Sequence, residues 1–305
     1  MLILVIIKIQ GGELYMKKFL SLILAVCLLA VSLCACKSEE EKRIDEYNKL
    51  PPIKFGVSVG KVPQEEVIGE LSSRMAEKGY RIEYVEFKDA ASANEALALG
   101  DIDISLICEK QEFDEYEKTN PDVLLNLGAV YYFPYGIFLC NFEKEENITD
   151  GATIGIPEDK EGMGRALMLL EAEGYITLKE GAGLDATLED IEKNERGFKF
   201  VTESADTIAE NIVSGGKDIV VMSSKNAVDA GYSFNKTAIG AEEMDCEGAK
   251  VHSTLLLIKR ESISSEKYKT VSKLYFSPLM YDMIESYVGG LIIPSFDAAD
   301  YMDKR

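Results

Sequence analysis

GATIGIPEDKEGMGRALMLLEAEG (151–174) holds the unit that decides the fold. GATIGIP (151–157) reads as a strand, and MGRALMLLEAEG (163–174) as a helix that Gly174 stops. Toward the C-terminus, Thr187 and Asp190 have the spacing of a capping box for a helix over LEDIEKN (188–194). FKFVTES (198–204) and DIVVMSS (218–224) read as strands on either side of the helix ADTIAENIV (205–213). VHSTLLLIK (251–259) is a further strand, followed by helices over 265–288 and the tail LIIPSF (291–296).

An earlier series has the same alternation. KFGVSVG (54–60) reads as a buried strand, Pro63 suits a first helical turn, and Val67, Ile68, Leu71 and Met75 share one helical face that Gly79 ends. RIEYVEF (81–87) is a strand, and SANEALAL (92–99) a helix stopped by Gly100. DIDISLI (101–107) is the next strand, before an acidic helix near 111–118. VLLNLGAV (123–130) and YYFPYGIFL (131–139) complete the series. Strands alternating with helices imply mostly parallel sheets with helices on both faces. Two such series predict two α/β lobes, one from 53–137 and 256–305, the other from 138–255. Ligands in open α/β sheets gather at the carboxyl ends of strands, so two facing lobes make a cleft.

Ahead of the lobes, MKKFLSLILAVCLLAVSLCAC (16–36) has a short cationic start and an apolar run of the length of a secretory signal. Its end, Leu33-Cys34-Ala35-Cys36, resembles a bacterial lipobox, which implies cleavage before Cys36 and a diacylglyceryl group on its sulfur; an ordinary cleaved signal is the other reading. Residues 37–52 then read as a charged spacer closed by Pro51-Pro52. Gln10-Gly11-Gly12-Glu13 can be encoded by a purine-rich ribosome-binding sequence, so Met16 is the expected start. A precursor beginning at Met1, seen by mass spectrometry, would overturn that expectation.

Composition excludes several classes. Without residues 1–35 the chain carries 30 basic and 52 acidic side chains, a net charge of −22. Nucleic acid is excluded as a partner, since phosphate contact needs clustered Lys and Arg, and attachment to a membrane must come from lipid. Cys108, Cys140 and Cys246 remain besides Cys36, an odd number without short spacing, which suggests buried free thiols, with one disulfide as the alternative outside the cell. His252 is the sole histidine, so histidine-based catalysis and His-rich metal sites are hard to build. No nucleophile–base pair stands out, and Asp101 and Asp103 fit turn chemistry after Gly100. Neither an enzyme nor a cofactor is expected.

VEFKDAASANEALALGDID (85–103), GAVYYFPYGIF (128–138), the whole of 150–191 and GGLIIPSF (289–296) resemble, in order and spacing, the NlpA/MetQ-type methionine-binding lipoproteins. The resemblance spans roughly 53–296 and implies a type II periplasmic-binding fold. It further implies a lipid-anchored solute-binding subunit on the extracytoplasmic face, closing on an amino-acid-like ligand and delivering it to an ABC permease and ATPase. An orphan ligand-sensing or surface lipoprotein of the same fold is the alternative.

Arg165, early in its helix, could join the helix N-terminus in a carboxylate site, and by position it is the family's carboxylate-binding arginine. The alternative is a pair with Glu161 or Glu158. Much of the family's pocket is replaced. Ala90 stands where the family has an aromatic, and Leu106, Ile107, Cys108 and Glu109 where it has two phenylalanines, a glutamine and a histidine. Gln111 and Glu112 replace its Pro-Tyr, and Ser223, Ser224, Lys225 and Asn226 its Asn-Gly-Asn-Tyr. Thr254 replaces a later asparagine. One expectation is that Arg165 and Lys225 hold an anionic end of the ligand and Glu109 a cationic end, with room at Ala90 for a larger zwitterion such as a dipeptide. The other is that Glu109 and Lys225 pair with each other or with solvent. Tyr131, Tyr132 and Tyr135 flank the crossover and either stack on ligand or pack.

Overall fold

The computed structural model describes residues 39–58, 64–287 and 290–296. Cys36, the signal-like run before it and Met16 lie outside the described residues. Within the expected spacer, EEEKRIDEYN forms helix α1 (Glu39–Asn48), rich in strong helix formers. It belongs to an N-terminal unit that ends at Pro51, separate from the body that begins at Pro52. No described helix is long and apolar enough to cross a membrane.

The body opens with β1 (Pro52–Ser58), α2 (Gln64–Glu77), β2 (Arg81–Phe87), α3 (Ala90–Leu99), β3 (Ile104–Ser105), α4 (Lys110–Thr119) and β4 (Leu124–Tyr132). The chain then leaves this sheet at Phe133-Pro134 for a second one. That sheet contains β5 (Tyr135–Leu139), β6 (Thr153–Pro157), β9 (Lys199–Glu203), β10 (Ile219–Ser223) and β11 (Ala238–Ala241), with β7 (Thr177–Leu178) and β8 (Ile191–Lys193) paired apart from it. Its helices are α5 (Lys160–Ala172), α6 (Ala205–Ser214), α7 (Ser224–Asp229) and α8 (Phe234–Thr237). The return runs through α9 (Glu247–His252) to β12 (Thr254–Lys259), α10 (Glu266–Tyr275), α11 (Pro278–Glu285) and β13 (Ile293–Pro294). Strand orders are β13-β4-β12-β3-β1-β2 and β11-β5-β10-β6-β9.

Apolar alternation explains the layering. In β12, Leu256 and Ile258 join Val67, Leu71 and Met75 of α2 and Tyr275 of α10 on one face. Leu255 and Leu257 join Leu97 of α3 and Phe113 of α4 on the other. A strand covered on both faces has to be apolar throughout, which is why this one reads TLLLIK. The second sheet repeats the arrangement, with Ile154 and Ile156 against Leu167 and Leu170 of α5, and Phe138 and Val220 against Ile208 of α6. Each such side chain contributes about 1.5–3 kcal/mol of burial.

The two-lobed α/β expectation stands, but the sheets are mixed rather than mostly parallel. Parallel pairing is confined to β2-β1-β3 and β10-β6-β9. Strands next to the crossovers, β4, β12, β13, β5 and β11, pair antiparallel, because each lies beside a strand that the chain enters from the other end. Two further elements differ. The strand expected over 101–107 shrinks to two residues, since the Asp103 carboxylate accepts the Lys54 N–H at 2.8 Å, in place of a backbone carbonyl. The Thr187–Asp190 capping box exists, but it opens one 3-10 turn, after which Ile191–Lys193 pairs with β7.

Candidate functional site

A cavity of about 810 Å³ lies at the carboxyl ends of β1, β2 and β3 of the first sheet, with Glu161 of α5 lining it from the second lobe. Ser58 ends β1, Lys88 to Ala91 follow β2, Ile107 and Glu109 follow β3, and Glu161 lies in the first turn of α5 after β6. Local chemistry sets these corners. Asp89 caps α3 by accepting the Ser92 N–H at 2.8 Å, and Gly100 ends that helix at φ 85°. Glu109 and Glu112 form the capping box of α4, with the Glu109 N–H donating to Glu112 Oε2 at 2.9 Å. The Glu109 corner is tied to the start of β12, where the Lys110 N–H donates to the Ser253 carbonyl at 3.0 Å and the Leu255 N–H to the Cys108 carbonyl at 2.9 Å.

That tie brings His252 to the cavity wall. Its Nδ1 lies 3.0 Å from Glu109 Oε2 and 3.3 Å from Glu161 Oε1, so Nδ1 carries the proton and donates to carboxylate. Asp89, Glu112 and Glu115 also line the cavity, where Lys88 is the one ammonium among the described residues. Burial raises the Glu112 carboxyl; the Glu109 N–H opposes this, while the charges of Glu109, Glu161 and Asp89 add to it. At Asp89, by contrast, the Ser92 hydrogen bonds hold the carboxyl below its ordinary value. Asn94 completes the wall. It is 1 % exposed, its Nδ2 donates to Cys108 Sγ at 3.3 Å, and its Oδ1 has no hydrogen-bond partner.

Arg165 lies behind this wall, 4 % exposed, and is bound by a residue 77 positions away. Its Nε donates to Glu242 Oε1 at 3.1 Å and its Nη2 to Glu242 Oε2 at 2.5 Å and to the Phe133 carbonyl at 2.8 Å. Glu242 Oε2 also accepts the Tyr135 N–H at 2.9 Å, and the guanidinium stacks 4.3 Å over the Tyr135 ring. Burial works to lower the Arg165 pKa, but the hydrogen bonds and charge of Glu242 outweigh it and hold the group above its ordinary value.

Residues 53–296 match the NlpA lipoprotein family. The chain belongs to the NlpA lipoprotein family. A methionine-binding lipoprotein of Bacillus subtilis is 28% identical over 240 residues, covering 78% of this chain and 86% of the relative. A lipoprotein structure from Ruminococcus gnavus is 31% identical, with a TM-score of 0.60, covering 81% of this chain and 99% of that one. A nutrient-binding protein from Burkholderia cenocepacia, solved bound to methionine, is 26% identical with a TM-score of 0.59, covering 80% and 100%.

Within this NlpA fold, the residues singled out from sequence are dispersed. Ala90 and Glu109 line the cavity. Thr254 sits behind them, bridged to Glu109 and opposite Tyr131, which is buried with its ring edge-on to Phe133. Ser223 ends β10 and caps α7 by accepting the Asn226 N–H. Lys225 is not among the cavity residues; it is exposed on α7 and pairs with Asp229 at 2.9 Å. Arg165 is 3.7 Å from Glu161, the partner considered from sequence, but its closer partner is Glu242. Sequence reasoning assigned no role in the site to His252, Asn94 or Glu242. A signal existed for Asn94, an amide on the face of α3 that also carries Ala90, Ala93 and Leu97. His252 was read into a strand, whereas it ends helix α9.

Proposed function

We propose that this NlpA family member is the solute-capture subunit of an ABC importer. It is held on the extracytoplasmic face by lipid on Cys36, and it encloses an amino-acid-like small molecule between its lobes before passing it to a permease and ATPase. The observation that carries the reading is a cavity at the carboxyl ends of first-sheet strands, faced by Glu161 of the second lobe, the place where open α/β sheets take ligands. The relatives' methionine-binding names support the solute class. Within the cavity, contact falls first to Ala90 and Glu109; Arg165, occupied by Glu242, contributes through that pair rather than as a free anion anchor.

The test is a thermal titration of the full chain in detergent with L- and D-methionine, other amino acids and dipeptides, run beside uptake assays in cells lacking the chain. A solute at a hundred times its Kd stabilises by about 2.7 kcal/mol, a rise of roughly 5–10 °C. Loss of uptake of that solute on deletion, and release of the Cys36→Ala chain from membranes, are expected. No shift with any solute together with unchanged uptake would overturn the reading.

A further inference from the structure

We propose that Glu109, Glu161 and His252 form a site for a divalent transition-metal ion of the zinc class in the wall of the solute cleft, beside the captured small molecule. The proposal rests on the reading of the cavity as the solute cleft. One donor atom from each residue lies within 4.8 Å of the others, and His252 Nδ1 is 3.0 Å and 3.3 Å from the two carboxylate oxygens. Donors of a tetrahedral ion with bonds of about 2.0–2.2 Å stand ~3.4 Å apart. The three groups are therefore close to that spacing, with a fourth position left toward the cavity.

The donor set fits the assignment. An imidazole with two carboxylates suits zinc, manganese, iron or nickel, whereas calcium and magnesium prefer oxygen alone. On coordination the metal takes the place of the Nδ1 proton. The surrounding charge favours a cation too, since Asp89 and Glu112 face the same cavity and the guanidinium behind Glu161 is neutralised by Glu242. Asn94 lies in the same wall, 1 % exposed, and its Oδ1 has no hydrogen-bond partner among the described residues.

The origin of the three ligands gives the site a consequence for capture. Glu109 comes from the corner before α4, His252 from the return segment before β12, and Glu161 from α5 on the second sheet. An ion that binds all three links the two sheets across the cleft, which couples occupancy to closure.

The experiment uses the full chain in detergent, stripped with chelator, and titrates Zn²⁺ by equilibrium dialysis and Co²⁺ by visible absorption. One ion per chain is expected, with the intense d–d bands of four-coordinate Co²⁺. Glu161→Gln, a change at a half-exposed side chain that leaves both cores intact, weakens binding by ~100-fold, as do Glu109→Gln and His252→Gln. No metal binding, or equal affinity and spectrum in parent and Glu161→Gln, would refute the site. Tight binding of a diamine such as putrescine, abolished by Glu161→Gln in a chain that takes no metal, would also refute it while leaving solute capture standing. Absence of every solute together with unchanged uptake would instead remove the capture reading itself.

Discussion

Replacing Glu242 by alanine removes the counter-charge of Arg165 and the acceptor for the Tyr135 N–H. The side chains of both partners are at most 6 % exposed, so no water shell takes over the guanidinium. Breaking a buried pair from one side costs about 3–5 kcal/mol, because the remaining charge stays desolvated, here with the Phe133 carbonyl and the half-exposed Glu161 at 3.7 Å left beside it. For a body of this size that is a fall in Tm of roughly 6–20 °C. Glu242→Gln keeps the shape and one carbonyl acceptor, so its loss should be smaller, about 1.5–3 kcal/mol, the worth of hydrogen bonds to a charged group. The informative companion is Arg165→Met with Glu242→Leu, which buries apolar groups of similar volume and should return to within ~1 kcal/mol of the parent. Thermal and urea melts followed by circular dichroism read all three. A melt for Glu242→Ala within 2 °C of the parent, a threshold of about 1 kcal/mol or less, would refute the claim that Glu242 neutralises Arg165.

Other perturbations follow from single contacts. A Cβ on Gly164 would lie 1.9 Å from the Leu184 carbonyl oxygen, a backbone atom, so Gly164→Ala should cost about 3 kcal/mol of unfolding free energy in a urea melt, at the upper end of overpacking. Burial pushes the Cys108 thiol up to about 12 and the Cys140 thiol up to about 11, so thiol-reactive dye at pH 8 should label both slowly in the folded chain and fast in denaturant; equal rates would contradict their burial. Asp218 is held below the ordinary carboxyl value by the Thr153 N–H at 2.8 Å, against the opposing effect of burial. Its contribution is therefore complete above the unfolded value near ~4 and is lost as pH falls through the lower folded value. Asp218→Asn should lower stability at pH 7 and flatten the acid limb of the stability curve; an unchanged limb would count against it.

Local signals carried the elements whose ends are local. Gly100 and the α5 segment sit where turn and cap chemistry put them, and the runs at 81–87 and 205–213 fold as read. Misreadings arose where a distant group decided the outcome. Asp103 ends a ladder by taking the Lys54 N–H, and Ile191 finds a strand partner in Leu178 rather than extending a helix. The site suffered most from this. Arg165 has glutamates four and seven residues back in sequence, Glu161 and Glu158, but its principal partner is 77 positions distant, and Glu109 meets His252 across 143 positions. A lone histidine beside an apolar strand gives no hint of two carboxylates delivered from separate elements. Periodicity reports which face is buried; it carries no information on which buried charges meet.

The segment from Tyr135 to Ala241 enters and leaves the first sheet at nearly one point. The Glu242 N–H donates to the Tyr135 carbonyl at 2.9 Å, and the flanking strands β4 and β12 are antiparallel neighbours with Thr254 opposite Tyr131. The second sheet is thus a cassette whose ends are already stitched together, the geometry under which domain insertion is tolerated. Exchanging it with that of another family member would carry Glu161 and Arg165 across and leave Ala90, Asn94, Glu109 and His252 behind. The cavity wall is written on two separable pieces of the chain, and hybrids of this kind would show which piece decides what, if anything, it takes up.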